Sequence, residues 1–544
     1  MENPWFPCQD SSAEQTQPGW DRTPGGAPIG FWPSLQGFPP PWSPSSPAAR
    51  DPGLTPCPTL EPRDWGEGEE LVGLLRVRVE GCVFTVERTL LAGSCAYFRG
   101  LFRSGMRDSH TDELYLQGGL HPGGFLVALA VVRGERPPIP DADRLLEAVE
   151  CAAFLQVEAL ESHLADILDT DNCLLLCQAA ATYGLHKLFA SAATFIRDSY
   201  RDLKWAAEES LHPDILSYIE SLTPASFIAL GTHTPSMEML HDSYRTVCHL
   251  DEEQGAWKFL TDLPVIASTS MAGVAVLDGR LYVIGGVVGV SKVSVDAGFC
   301  YDPLTNSWTD IPGPAQSRYD FTLLGLEGKL YAIGGEHARQ IMSSAETFDV
   351  ASGTWSFIKH TPRPIAGAAG AVCRRRIFVC FWKPPDISDI YEYVPAEDKW
   401  TLVTTMVHHQ SYGHCMVAHR DNLYVMRNGH GDDFLRCLID CYNITTGQWS
   451  TLPGHYMNSK GALFSAVVRG DSAFTVNRAA TVEFNVSTQG WRQQRQMTGF
   501  PKSGSLWTCL LRLSRKGLPG ELPKPGNVEG NDEREAKENG LEER

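Results

Sequence analysis

The alternation of apolar and polar positions changes character twice along the chain. Leu75-Arg-Val-Arg-Val79 and Cys82-Val-Phe-Thr-Val86 alternate with a period of two around a Glu-Gly pair, which predicts a short hairpin. The period then lengthens to that of a helix. Helices are expected at Ser94–Ser104, Pro122–Val132, Ala142–Phe154 and Val157–Ile167, with one more strand at Glu113–Leu116, so residues 73–168 read as a small α/β unit. Over 169–225 the apolar residues of Cys173–Ala180, Tyr183–Leu188 and Ala193–Arg197 keep helical spacing. Two packed helices are expected there, with Asp171 or Asn172 as N-cap.

From residue 226 the pattern is that of strands, and it repeats. Trp257, Trp308, Trp355, Trp400, Trp449 and Trp491 lie 42 to 51 residues apart, the length of one four-stranded propeller blade. Ahead of most of them stands an aromatic strand: Tyr301-Asp, Phe348-Asp, Tyr391-Glu-Tyr, Tyr442-Asn and Phe484-Asn. Earlier still comes an apolar strand: Leu281-Tyr-Val-Ile-Gly-Gly286, Leu330-Tyr-Ala-Ile-Gly-Gly335, Ile377–Cys380, Leu423–Met426 and Ala473–Val476. One four-stranded sheet cannot bury both faces, whereas a closed ring of such sheets can. The glycine pairs are expected beside the axis, where bulk is excluded, and the tryptophans between blades. Three later units replace the pair with Phe381-Trp382, Arg427-Asn428 and Asn477-Arg478. The sixth unit is split between Ser226–Leu260 and a returning strand at Ser505–Leu513, and Asp278-Gly279, Glu327-Gly328 and Gly470-Asp471 fit tight turns.

Composition narrows the function. Residues 1–70 are rich in Pro, Gly and Ser, and 514–544 in charged residues, Gly and Pro; both are expected to be disordered. The formal net charge of −19 and the lack of a basic cluster argue against nucleic acid as a partner. No segment approaches the ~20 apolar residues of a membrane span. Fifteen scattered cysteines suit a reduced, cytoplasmic location. Phosphate-loop, serine-hydrolase and zinc-protease motifs are absent, so no enzyme and no cofactor is expected. His408, His409, His414, His419 and His430 form the best metal candidate, but His414 and His419 would point to opposite faces of a strand, and a structural or peptide-binding role is preferred. Cys173 and Cys177 are expected to be core thiols, and Cys437 and Cys441 to share one strand face.

Phe84–Leu91, Ser94-Cys-Ala-Tyr-Phe-Arg-Gly-Leu-Phe102 and Ala152-Ala-Phe-Leu-Gln156 resemble a BTB (POZ) domain, with Glu87 where that domain usually has histidine. The helical segment resembles a short BACK domain, and the L-Y-x-I-G-G, Y-D, W order resembles the kelch repeat. The chain is thus similar to the BTB-BACK-kelch adaptor family. The resemblance implies a multidomain protein: an α/β BTB domain over 73–168, an α-helical BACK stalk over 169–225, and an all-β six-bladed kelch propeller over 226–513. It further implies a homodimer that serves a cullin-3 RING ubiquitin ligase as substrate adaptor, docking on cullin-3 through a φ-x-E element matched here by Met106-Arg107-Asp108. A cytoskeletal or scaffold kelch protein, or a metal-dependent propeller enzyme, are the alternatives.

Ligand recognition is expected on the longer loops that follow the apolar strands, Val287–Gly298, Glu336–Ser344, Lys383–Asp389 and Asn428–Arg436, opposite the tight turns. These loops carry Arg339, Lys383, His430 and Arg436, with Arg318, Arg427 and Tyr412 nearby. An acidic peptide is the expected protein ligand.

Overall fold

The computed structural model describes residues 73–233, 244–288, 292–383, 387–408, 415–429, 436–456, 465–476, 481–486, 488–493 and 503–513. Both compositionally biased ends lie outside them. Strands β1 (Leu74–Val79), β2 (Cys82–Glu87) and β3 (Glu113–Leu116) form a sheet in the order β2-β1-β3. β1 pairs antiparallel to β2 through a turn with Glu80 and Gly81 both at positive φ, and parallel to β3. Leu75, Val77 and Val79 point inward, which is the alternation seen in the sequence.

Helices α1 (Arg88–Ser94), α2 (Ala96–Arg103), α3 (Pro122–Val132), α4 (Ala142–Leu155) and α5 (Glu158–Asp166) pack on this sheet. Four helices follow where two were expected: α6 (Cys173–Tyr183), α7 (His186–Asp198), α8 (Tyr200–Ser210) and α9 (Pro213–Ser221). α8 buries only Leu203 and Ala207, so its apolar stripe is too thin to read from the sequence. One continuous core runs from Leu75 to Ile219 and includes Cys173 and Cys177. Burial pushes the thiols of Cys173 and Cys177 up to about 12, so they stay protonated. The N-cap expectation needs correction. Asn172 occupies the cap position without a side-chain cap bond, and it is Asp169 Oδ1 that accepts from the backbone N–H of Asp171 and Asn172.

Six four-stranded antiparallel sheets follow. We number the blades I (Gly273–Pro312), II (Thr322–Ile358), III (Ala369–Val407), IV (Cys415–Tyr456), V (Ser465–Gln493) and VI. Blade VI takes Ala225–His233, Tyr244–Asp251 and Ala256–Asp262 from the front of the ring and Ser503–Arg512 from its end, the last being its innermost strand. The final strand thus closes the ring on the first.

The alternation along each strand has a simple cause. Leu281 and Val283 of blade I pack into a cluster shared with blade VI, while Tyr282 and Ile284 of the same strand pack into a cluster shared with blade II. Similar shared clusters fill the spaces between blades II and III, III and IV, IV and V, and V and VI. Successive residues therefore feed two different cores. The tryptophans lie on the outer strands, and those of blades I to V stand against the aromatic residue across the pair, as in Tyr301–Trp308 and Phe348–Trp355, while Trp257 of blade VI faces Leu250. Three of the indole N–H groups reach a backbone carbonyl of the preceding blade or the connection after it: Trp355 donates to Pro312 O, Trp400 to Lys359 O and Trp491 to Pro453 O.

The place of the glycine pair also needs correction. It ends the second strand, not the innermost one, which in blade I is Gly273–Leu277. Gly285 and Gly286 have φ of +63° and +87°, and a Cβ on them would stand 2.5 Å from Arg318 O and 2.7 Å from Ser270 O. The pair lets the backbone turn sharply against its neighbours, and Gly286 N donates to Arg318 O. In blades III and IV, which lack the pair, the strand runs on: blade III extends through Phe381 to Lys383 and blade IV through Arg427 to Asn428, whereas Asn477-Arg478 of blade V lie outside the described residues.

Candidate functional site

An antiparallel blade places the turns after its first and third strands on one face of the ring and the loops after its second and fourth strands on the other. The turn face is occupied by the helical module. Gly470, at φ +57°, brings the blade V turn so close to Ser199 that a Cβ would stand 2.2 Å from Ser199 Oγ. Beside it Asp471 is buried, and its carboxylate accepts from Thr170 N (2.8 Å) and Thr170 Oγ1 (2.9 Å), and is bonded to His419 Nε2 (2.9 Å) and an Arg420 NH2 donor (2.7 Å). Burial alone would raise the Asp471 carboxyl. The bonds from His419 and Thr170 and the charge of Arg420 outweigh it and hold the group well below the usual carboxylate range. A second clamp is bidentate: Arg512, at the end of the closing strand, donates to both Asp198 oxygens at 2.9 and 2.6 Å, and Ala225 N donates to the same carboxylate.

The loop face is different, and it corrects part of the expected site. Arg318 is fully buried rather than ligand-facing. It pairs with buried Glu346 and donates to Gly334 O and Ser344 O, tying the blade I–II connection to the blade II loop. Arg427 is likewise buried, bonded to Asp440 Oδ2 at 2.7 Å. A third such tie is Arg363, which donates to Phe381 O and Asp389. A desolvated guanidinium needs a carboxylate, and each of these finds one on the third strand of a blade. Arg339 is exposed in a short hairpin, with Tyr319 Oη accepting from its backbone N–H. Arg436 begins the third strand of blade IV and is half-buried. Lys383 ends the second strand of blade III, its side chain outside the described residues, as are Tyr412 and His430.

What the sequence reading missed on this face is apolar. The loops carry exposed Val265, Ile266, Val288, Val293 and Ile341. Aliphatic residues inside glycine- and serine-rich connections are the signal that could have found them.

On the helical module, α2 leads into a 3-10 turn, Arg107–His110, with Met106 at its start. Ser109 is buried and its Oγ donates to Met106 O at 2.6 Å, while Arg88 donates to Ser109 O and Thr111 O and lies over the Phe102 ring. The backbone is pinned, yet Met106 is 67% exposed and Asp108 is exposed beside it.

The chain is 52% identical to Kelch repeat and BTB domain-containing protein 13 of Homo sapiens over 449 residues, 82% of this chain and 97% of that protein. The Mus musculus protein of that name matches at 52% over 439 residues, 81% and 95%. The chain belongs to the kelch-repeat and BTB-domain family. The KLHDC2/KLHL20/DRC7 Kelch-repeats domain matches residues 231–431, and Kelch-like protein 42 of Mus musculus is 25% identical over 479 residues, 78% of this chain and 96% of that protein.

Membership fits the BTB unit, helical stalk and propeller seen in the fold, and the names of these kelch and BTB relatives carry no enzymatic activity. Among the described residues no group of three or more His, Cys, Asp or Glu side chains could hold a metal ion, and no helix is long and apolar enough to cross a membrane. His408 bonds to Ser388 and His419 to Asp471; His409, His414 and His430 lie outside the described residues. Cys437 and Cys441 share one inter-blade core of this kelch ring.

Proposed function

We propose that this kelch-repeat and BTB-domain protein is a substrate-recognition adaptor of a cullin-3 RING ubiquitin ligase. It dimerises through the BTB unit of residues 73–168, docks on cullin-3 through Met106 and Asp108, and holds a protein substrate on the loop face of the propeller, performing no reaction itself. The observation that carries the reading is Met106: a large apolar side chain left open to solvent on a turn whose backbone is tied down by Ser109 and Arg88. An exposed apolar group on a rigid support suits an interface anchor, since little conformational entropy remains to be lost. Covering Met106 contributes about 1.5–3 kcal/mol by transfer of its side chain from water. Asp108 supplies a charge at the position where the family element has Glu.

Titration of the full chain with the cullin-3 N-terminal domain tests this. Binding is expected, weakened by tenfold or more in Met106→Ala, which corresponds to about 1.4 kcal/mol, with the melting temperature unchanged. A full chain that ignores cullin-3 and forms dimers contradicts the ligase role and favours a scaffold.

A further inference from the structure

In five of the six blades the first two strands form one hairpin, closed on the turn face by two residues: Asp278-Gly279, Glu327-Gly328, Arg374-Arg375, Arg420-Asp421 and Gly470-Asp471. Blade VI has no such turn. Its first strand is Ser503–Arg512 and its second Ala225–His233, drawn from opposite ends of the propeller, so two unjoined strand ends stand where the other blades turn. The ladder between them is regular over six pairs, from Trp507 with Leu230 to Arg512 with Ala225, and its register shifts toward the loop face between Ser503 and Trp507. The regular end of the seam is thus the end that lacks a covalent link.

Asp198, the last residue of α7, occupies that end. Its carboxylate accepts from both members of the terminal pair: from the two terminal nitrogens of Arg512 at 2.9 and 2.6 Å, and from Ala225 N at 2.8 Å. Arg512 also donates to Thr223 O (2.8 Å), and from blade V Arg469 donates to Ala225 O (3.3 Å) and lies over the Phe227 ring. Neighbouring turns elsewhere on this face are tied by Arg375–Glu327, Arg374–Asp421 and Arg420–Asp471, and each of those pairs begins and ends inside the propeller. The seam takes its carboxylate from the stalk. For α7 alone that charge is unfavourable, because an acidic residue at a helix C-terminus meets the negative end of the helix dipole. The gain lies across the joint, in a bidentate pair with the closing strand.

We infer that Asp198 is the latch of the propeller seam, standing in for the hairpin turn that blade VI lacks. Closure of the ring is then a joint property of stalk and propeller: while the stalk is docked the Arg512–Ala225 pair is held, and when it leaves, blade VI opens from its turn end. The inference concerns the ring itself and stands whichever partners the BTB unit and the loop face take.

Amide hydrogen exchange read by mass spectrometry on the full-length protein supplies the test, in wild type, Asp198→Asn and Arg512→Gln. In Asp198→Asn the segments 225–231 and 507–512 are expected to exchange roughly tenfold faster, as for loss of one charge-assisted hydrogen bond, while the strands of blades II and III keep the wild-type rate. The last turn of α7 is expected to exchange at the wild-type rate or more slowly, because the unfavourable charge at the helix end is gone. Arg512→Gln breaks the same pair from the other side. It is expected to speed both seam segments and, by leaving the carboxylate without its cation, the last turn of α7 as well. Unchanged exchange at the seam in both variants overturns the inference. An equal rise through α7 and all six blades also overturns it, since Asp198 would then support the fold at large and not the seam.

Discussion

The two faces of the propeller use charge in opposite ways. On the turn face, charged groups are spent on the stalk–propeller junction: Asp471, held by Arg420 and His419 of the propeller, accepts from Thr170 of the stalk, Arg420 also pairs with Asp169, and Asp198 of the stalk pairs with Arg512 of the closing strand. On the loop face, the buried ion pairs Arg318–Glu346 and Arg427–Asp440 stay within the ring, and the side chains that reach solvent include apolar Val265, Ile266, Val293 and Ile341 beside the charges of Lys292 and Arg339. A face already joined to the rest of the chain spends its polar groups on that joint. A face left for a partner keeps its polar groups for its own rigidity and presents apolar surface.

The largest effect expected is from truncation after residue 500. This removes the strand Ser503–Arg512, opening blade VI and breaking the Arg512–Asp198 clamp together, so the cooperative melting of the propeller is expected to fall by more than about 10 °C or vanish. A fragment that melts with the full chain means the ring does not depend on that strand. Next comes Arg318→Ala, expected to cost about 3–5 kcal/mol in denaturant midpoints because it leaves Glu346 buried without its partner, against under about 0.5 kcal/mol for exposed Arg339→Ala. Equal costs would erase the distinction between an internal tie and a rim charge.

Asp471→Ala is expected to cost about 2–3 kcal/mol, by loss of charge-assisted bonds at a buried site. The sign with pH follows from the lowered carboxyl. The stabilisation is fully present above the ordinary aspartate value of about 3.9 and is lost as pH falls below it toward the folded-state value. Wild type and Asp471→Ala should therefore converge in stability under acid, and a gap that widens there refutes the assignment. The smallest effect is Trp355→Phe, which keeps the ring against Phe348 but loses the bond to Pro312 O, at about 1 kcal/mol by thermal melting.

Much of this fold is legible in the sequence because its signals are local. The strand Glu113–Leu116 is marked by alternation and the helix Pro122–Val132 by an apolar run opening on Pro at its first position, and the tryptophan spacing marks the blades. The position of the glycine pair was misread for a physical reason: the demand for left-handed backbone is visible in the sequence, but the neighbour that imposes it, Arg318 O, is more than thirty residues away. The candidate site was less legible still. Arg318 and Arg339 look alike in sequence, each beside a loop, and only the position of Glu346 on the third strand of the blade separates a buried tie from an exposed charge.

The division between the faces is tested most directly at the joint itself, by amide hydrogen exchange of the segment carrying Thr170 in the full chain. Thr170 N donates to Asp471 Oδ2 at 2.8 Å, so its exchange is predicted to be slow in wild type and fast in Asp471→Ala, while segments on the loop face exchange alike in both. Fast exchange at Thr170 in wild type, or no change on substitution, would contradict a turn face committed to the stalk.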